Sequence, residues 1–198
     1  MSEGKRSAFI ERKTKETAIA VQLDLDGSGS AEVNTGIAFF DHMLTLFAVH
    51  GFFDLTIRAQ GDLDVDGHHT VEDVGICLGQ AFSRALGDRA GIRRYGQASV
   101  PMDEALAQAV VDLPNRPYLV LQTPALVERV GAFETELLPE FFRAFCVHAG
   151  ATLHLHVPYG DNTHHMLEAV FKACGRALDQ ATSVDPRRTG VPSSKGIL

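Results

Sequence analysis

The chain has 198 residues, 45% of them hydrophobic and 22% charged, which is ordinary for a packed globular protein. A formal net charge of −7 and a pI near 5.7 argue against a nucleic-acid-binding surface, while leaving room for a local basic pocket around an anionic substrate. Three cysteines (Cys77, Cys146 and Cys174), a polar N-terminal stretch and no long apolar run argue against a disulfide framework, a secretory leader and a membrane span, so a reducing, cytoplasmic setting with no membrane partner is expected.

Along the chain, residues 1–12 read as a loose polar start. Partial alternation from Thr17 to Leu25 predicts a strand, Asp26-Gly27-Ser28-Gly29-Ser30 a hairpin turn, and Ala31 to Thr35 a second strand. Ile37 to Val49 carries Phe40, Met43, Leu44 and Phe47 at helical spacing. Phe53 to Ala59 alternates as a strand, and Gly61 to Gly67 is an acidic loop. His68 to Leu86 is a helix whose Val71, Val74, Leu78, Phe82 and Ala85 face a core. Its opposite line, His68, Glu72, Gly75 and Gly79, holds small residues that admit a close neighbour. The pattern restarts near Arg94. Gln97 to Met102, Ala105 to Leu113, Tyr118 to Gln122 and Glu128 to Glu134 read as strands, and Leu137 to Val147 as a short helix. Ala151 to Val157 is a strand with His154 and His156 on a solvated face. Tyr159 to Asn162 makes a turn, and Thr163 caps a helix from His164 to Ala181. The tail from Asp185 has no packing pattern.

The sequence repeats itself. His68-His69-x-x-Glu72 returns as His164-His165-x-x-Glu168, and Phe47-Ala48-Val49-His50-Gly51 lines up with Phe145-Cys146-Val147-His148-Ala149. Eight residues before His50 and His148 stand His42 and Glu140, and Gly79 and Gly175 each follow the first histidine of their pair by 11 residues. The expected fold is α+β: a duplicated α/β sandwich module of two similar halves, 1–93 and 94–184, followed by a tail, 185–198. Each half is a mostly antiparallel sheet, with the long helices packed on one side.

Imidazole and carboxylate together suit divalent Mn, Fe or Zn. On a helix, His68 and Glu72 share a face and His69 also approaches Glu72, whereas adjacent histidines diverge by about 100°. One helix therefore does not present both members of a pair to one ion. The economical arrangement is two metal sites drawing on both modules or on neighbouring subunits, with candidates His42, His68, His69, Glu72, Glu140, His164, His165 and Glu168. A single pair at a helix start reads equally as a polar cap; two in register within a repeated flank do not. Glu140 also reads as an ordinary first-turn acid after Pro139. His50 and His148 match in the repeat and read as structural. The tail is either a mobile terminus or a phosphate ligand, since Ser193, Ser194 and Lys195 offer hydroxyls and a cation. Arg94 and Arg116 join that candidate set, Arg116 inside the stiff turn Pro114-Asn115-Arg116-Pro117.

Phe40-Asp41-His42-Met43-Leu44, His68-His69-Thr70-Val71-Glu72-Asp73, Gly160-Asp161-Asn162-Thr163-His164-His165 and Pro192-Ser193-Ser194-Lys195-Gly196, in that order, resemble imidazoleglycerol-phosphate dehydratase. The resemblance runs from about Arg12 to the C-terminus. It implies a fold like the second domain of ribosomal protein S5, two Mn²⁺ per subunit, and a homo-oligomer of 24 subunits whose metal sites form where subunits meet. It implies dehydration of D-erythro-imidazole-glycerol phosphate to imidazole-acetol phosphate in histidine biosynthesis. The family's metal ligands fall on His42, His68, His69, Glu72, His164, His165 and Glu168. Where some relatives have a histidine this chain has Glu140, and where some have a glutamine it has Leu46. The resemblance makes Glu16, His68 and His164 the catalytic candidates, with Glu16 the acid–base. Substrate contacts are expected from Glu16, Arg94, Arg116, Ser193, Ser194 and Lys195, together with His50 and the ligand residues. Two other classes use the same donors. A dinuclear metal hydrolase, such as a phosphatase, would release phosphate from simple esters. A structural metal protein would close its coordination shell.

Overall fold

Strict alternation of buried and exposed side chains over Thr17–Asp24 and Ala105–Asp112 makes each a strand with one face in a core and one in solvent. The computed structural model describes residues 5–196. The first half contains β1 (Ser7–Lys13), β2 (Thr17–Asp24), β3 (Ala31–Asn34), α1 (Ala38–Gly51), β4 (Asp54–Gly61) and α2 (His68–Leu86). The second contains β5 (Tyr95–Met102), β6 (Ala105–Asp112), β7 (Tyr118–Gln122), β8 (Arg129–Val130), β9 (Phe133–Glu134), α3 (Leu137–Ala149), β10 (Thr152–Tyr159) and α4 (Thr163–Thr182). The two main sheets have the same order, β1-β2-β4-β3 and β5-β6-β10-β7. In each, the fourth strand pairs parallel to its neighbour and the other pairs are antiparallel. A parallel pair needs a crossover, and α1 and α3 supply it.

Several expectations are corrected. Residues 7–12, read as part of a loose start, belong to β1, which runs to Lys13, because Ala8 and Ile10 alternate into the core. Asp26–Ser30 is not a hairpin turn: β4 lies between β2 and β3, and Asp54 Oδ1 accepts from the Ser28 and Ser30 amides at 2.8 and 3.0 Å. Glu128–Glu134 is a two-strand hairpin turning at Gly131, whose φ is 60°. Asn162, not Thr163, caps α4, accepting from the His164 amide at 2.9 Å; Thr163 is buried and its hydroxyl accepts from the Val127 amide instead. The beginning of the tail is tied down, with Asp185 N donating to Gly91 O and Gly91 N to Gly190 O. His154 and His156 are solvent-exposed, as expected.

The sheets do not share one side. Each covers its own half's helices, and the halves meet helix to helix, α2 on α3 and α1 on α4. Glycine allows the meeting. A Cβ on Gly75 would lie 2.7 Å from Phe141 O, and one on Gly79 would lie 2.6 Å from Phe145 O. In the mate contact a Cβ on Gly175 would strike Phe47 O. The small residues noted on the His68 line thus admit the backbone of α3. Around these contacts the aromatic core is common to both halves: Phe82 meets Phe145 at 5.3 Å and Phe40 meets Phe141 at 5.3 Å, both edge to face.

The same packing gathers the starts of all four helices at one end. The Ile37 and Leu137 side chains converge on Gly67, and the Phe39 and His164 rings lie 5.1 Å apart. Gly175→Ala tests the packing, since alanine should favour an exposed helix interior by about 1 kcal/mol. Here it should instead destabilise the metal-free protein by about 1–3 kcal/mol, through overpacking against α1. Urea unfolding with an unchanged or raised midpoint would refute the contact.

Candidate metal centre

Three donors from two helices and both halves converge. His42 comes from near the start of α1, just after Asp41, which fixes the entry by accepting from the Thr35 amide and hydroxyl at 2.8 and 2.6 Å. His164 and Glu168 come from one face of α4. His42 Nε2 lies 2.9 Å and His164 Nε2 3.1 Å from the same oxygen, Glu168 Oε1, while Lys172 donates to Oε2 at 2.7 Å. Burial alone would push the Glu168 carboxyl up; hydrogen bonds from Lys172, then His42 and His164, outweigh it and hold the group down at about 2. Among the described residues this is the one group of three such donors whose ligand atoms all lie within 4.8 Å of one another. Two imidazoles and a carboxylate fit a divalent transition metal. The set is not closed, since both histidine side chains keep over 40% of their exposure. An open groove of about 660 Å³ borders His164 and His165 and is flanked by Val127 and Arg129.

The mate set is not assembled in the same way. Glu140, the counterpart of His42, is bound by Arg143 at 2.7 and 2.6 Å on its own helix. Among the described residues no ion pair joins it to His68, and it forms no donor group with His68 and Glu72. Within each pair the rings diverge as the helix demands, with centroids 6.2 Å apart in both. Each second histidine binds an acid from another element. His165 Nδ1 lies 2.7 Å from Glu104 Oε2, and His69 Nδ1 lies 3.0 Å from Asp62 Oδ2. These bonds raise both histidines, and the His165 bond, followed by the Asn162 amide, holds Glu104 at about 2.

Glu16 sits in the β1–β2 turn. Thr14 Oγ1 accepts from the Glu16 and Thr17 amides, and the Thr17 hydroxyl donates to Asp73 of α2. The Glu16 charge is among those that raise His69, so the turn lies beside the first histidine pair. His50 faces α4: burial, then Lys172 and Arg176, push it down, against a pull from Glu168. His148 of α3 holds the equivalent place, facing α2 beside Arg12 and Glu72.

The expected phosphate contacts lie elsewhere. Arg94 N donates to Ala181 O, and Glu168 is 13 residues earlier on that helix, roughly 20 Å away at 1.5 Å per residue. The Arg94 guanidinium grips Asp112 at 2.7 and 3.1 Å and ties down the tail by donating to Pro192 O at 2.9 Å. Beyond Pro192, Ser193 is half-buried, Ser194 and Lys195 are exposed, and the Lys195 amide donates to Ser193 Oγ. Arg116 is exposed in its turn, after Asn115 at φ 58°. Its carbonyl accepts from Thr152 Oγ1, and buried Arg89 donates to Leu113 O and to Gly150 O at the end of α3. One chain thus carries His42, the paired histidines and Glu16 at one end and Arg94, Arg116 and the tail at the other.

Sequence reasoning missed Lys172, Asp62 and Glu104. The first was legible as the i+4 partner of Glu168. Asp62 lies in the acidic loop before α2, where no regular spacing singles it out, and Glu104 reaches His165 from a distant turn.

Fold and site together define a duplicated α+β protein with a His/Glu centre able to hold a divalent metal. The family model of imidazoleglycerol-phosphate dehydratase matches residues 35–178. Relatives of that name from Syntrophobacter fumaroxidans and Desulfosudis oleivorans are 66% and 59% identical, each over 98% of this chain and 99% and 100% of their own. The crystal structure of an imidazoleglycerol-phosphate dehydratase from Staphylococcus aureus superposes with a TM-score of 0.81 at 41% identity, covering 90% of this chain and 99% of that one. One from Pyrococcus furiosus gives 0.82 at 38%, covering 96% and 100%. The chain belongs to the imidazoleglycerol-phosphate dehydratase family, a family of hydro-lyases. No helix among the described residues is long and apolar enough to cross a membrane.

The buried Glu168–Lys172 pair makes a specific demand on stability. In metal-free protein, Glu168→Ala strands the Lys172 ammonium and should destabilise by about 3–5 kcal/mol. Adding Lys172→Met should recover part of that loss, giving a coupling of about 0.5–3 kcal/mol in a double-mutant cycle read by urea unfolding. Additive effects would mean that the two side chains do not depend on each other.

Proposed function

We propose that the chain is a metal-dependent dehydratase that converts D-erythro-imidazole-glycerol phosphate to imidazole-acetol phosphate in cytoplasmic histidine biosynthesis. Family membership over nearly the whole chain carries the reaction, and the open His42–His164–Glu168 set carries the metal dependence. Manganese, two ions per subunit, is the metal this reading assigns. The first set is His42, His164 and Glu168. The second draws on His68, Glu72 and Glu140, and His69 and His165 serve sets of neighbouring chains. Bound divalent ions supply Lewis acidity that draws charge from the substrate's imidazole ring.

The proton to be removed lies on carbon beside that ring and is not acidic unaided. Glu16 is the proposed acid–base, taking that proton and returning one to the leaving hydroxyl. Its fixed turn beside His69 supports the role. His68 and His164 face the same reacting end, and His50 backs Glu168 from α1. Arg94, Arg116, Ser193, Ser194 and Lys195 are the proposed phosphate contacts. The Arg94 guanidinium has five N–H groups and keeps two beyond those given to Asp112 and Pro192. Anchoring phosphate away from the reacting carbons fixes the substrate's orientation.

The roughly 20 Å between these contacts and Glu168 on α4 supports sites shared between chains, since neither end is complete by itself. The homo-oligomer assigned here is the 24-subunit assembly. A hydrolase reading has no observation of its own, and a closed structural site is disfavoured by the exposed ligands.

Loaded with Mn²⁺, the protein should hold about two ions per chain by elemental analysis, where one or none would reject the two-site arrangement. Arg116→Ala should lower kcat/KM about 10- to 150-fold, the loss of one charge-assisted contact. Co-assembled with the inactive Glu168→Ala protein, it should recover activity toward about a quarter of wild type if chains mix at random. No recovery in assemblies shown by native mass spectrometry to be mixed would contradict shared sites.

A further inference from the structure

His165 Nδ1 lies 2.7 Å from Glu104 Oε2, and His69 Nδ1 lies 3.0 and 3.2 Å from the two oxygens of Asp62. An ionised carboxylate can only accept, so in each contact Nδ1 carries the hydrogen. In a neutral imidazole the lone pair is then on Nε2. That atom of His165 is uncommitted: the nearby acid oxygen, Asp103 Oδ2, is 3.9 Å away, beyond hydrogen-bond range.

The acids come from different places in the repeat. Asp62 leaves the end of β4, whereas Glu104 sits in the β5–β6 turn. Glu104 is itself clamped, its Oε1 accepting from the Asn162 and Asp161 amides at 2.8 and 3.2 Å. One carboxylate therefore fixes both the turn entering α4 and the ring of the second histidine on that helix. The structural counterpart of the β5–β6 turn is the β1–β2 turn, which carries Glu16. Among the described residues Glu16 makes no hydrogen bond to His69; Asp62 does that work. An incidental surface ion pair would have no reason to recur at the same ring nitrogen from a non-equivalent position.

We propose that Asp62 and Glu104 are positioning residues, each holding its histidine as the Nδ1–H tautomer and aiming Nε2 outward as the metal-binding atom. The proposal rests on reading the paired histidines as ligands.

The test is Mn²⁺ titration of the metal-free, full-length protein, with free Mn²⁺ counted by electron paramagnetic resonance. Glu104→Ala and Asp62→Ala should each weaken one class of site about 10- to 100-fold, the usual effect of removing such a partner. Glu104→Gln can keep both backbone contacts through its one amide oxygen but then turns an NH2 donor toward Nδ1, so it should weaken binding like alanine and favour the Nε2–H tautomer, and it covers the case in which the alanine variant misfolds. In ¹⁵N spectra of histidine-labelled protein, the Nδ1–H signature should be lost from one ring in each alanine variant. If His69→Ala and His165→Ala weaken Mn²⁺ binding but Asp62→Ala and Glu104→Gln bind as wild type with unchanged ring spectra, the positioning role is overturned. If the histidine variants also bind as wild type, the ligand reading beneath it falls as well.

Discussion

Helix backbones touching at glycine are the constraint on which the rest of the molecule depends. Gly75 and Gly79 of α2 accept the backbone of α3, and Gly175 of α4 accepts that of α1. Without side chains in the way, a helix of one half lies directly on a helix of the other. Phe40, Phe82, Phe141 and Phe145 then close a core that neither half could bury by itself. The functional consequence is geometric. His42 belongs to the first half and Glu168 to the second, 126 residues apart, and they meet at 2.9 Å because α1 and α4 are in contact.

Electrostatics then divides the molecule into two ends. Where the helices begin, carboxylates and imidazoles hold each other: Glu168 between His42, His164 and Lys172, and Glu104 between His165 and the entry of α4. Both acids sit near 2, so they stay ionised and keep their neighbours oriented across the working range of an enzyme. Where the helices end, buried Arg89 collects the carbonyls of Leu113, Ala149 and Gly150, which steadies the turn that carries Arg116. Arg94 pins the tail at Pro192. Under the function proposed above, a substrate with an imidazole at one end and a phosphate at the other would use two such ends from different chains.

Much of this was legible in the sequence, for physical reasons. His68–Leu86 was bounded correctly because its apolar stripe and paired histidines follow a strong 3.6-residue period. The repeat was legible because duplication copies spacing, and the glycines in it announced a close neighbour before that neighbour was known. What escaped depends on long-range pairing. β1 was missed because charged residues hide its short alternation, Ser7 to Lys13. The turn at Asp26–Ser30 misled because Gly and Ser favour a hairpin locally, while β4 inserts from 24 residues beyond Ser30. At the site, helix periodicity gave His164 with Glu168, but nothing local tells that Asp62 or Glu104 reaches a histidine. Glu16 came from family resemblance alone.

Contact between the halves brings His42, His164 and Glu168 together as a candidate metal centre. Anomalous diffraction at the manganese edge, on crystals of the Mn²⁺-loaded protein, tests it most directly. A peak is expected within bonding distance of His42 Nε2, His164 Nε2 and a Glu168 carboxylate oxygen of one chain. Manganese bound only at positions that leave His42 paired with Glu168 and uncoordinated would contradict it.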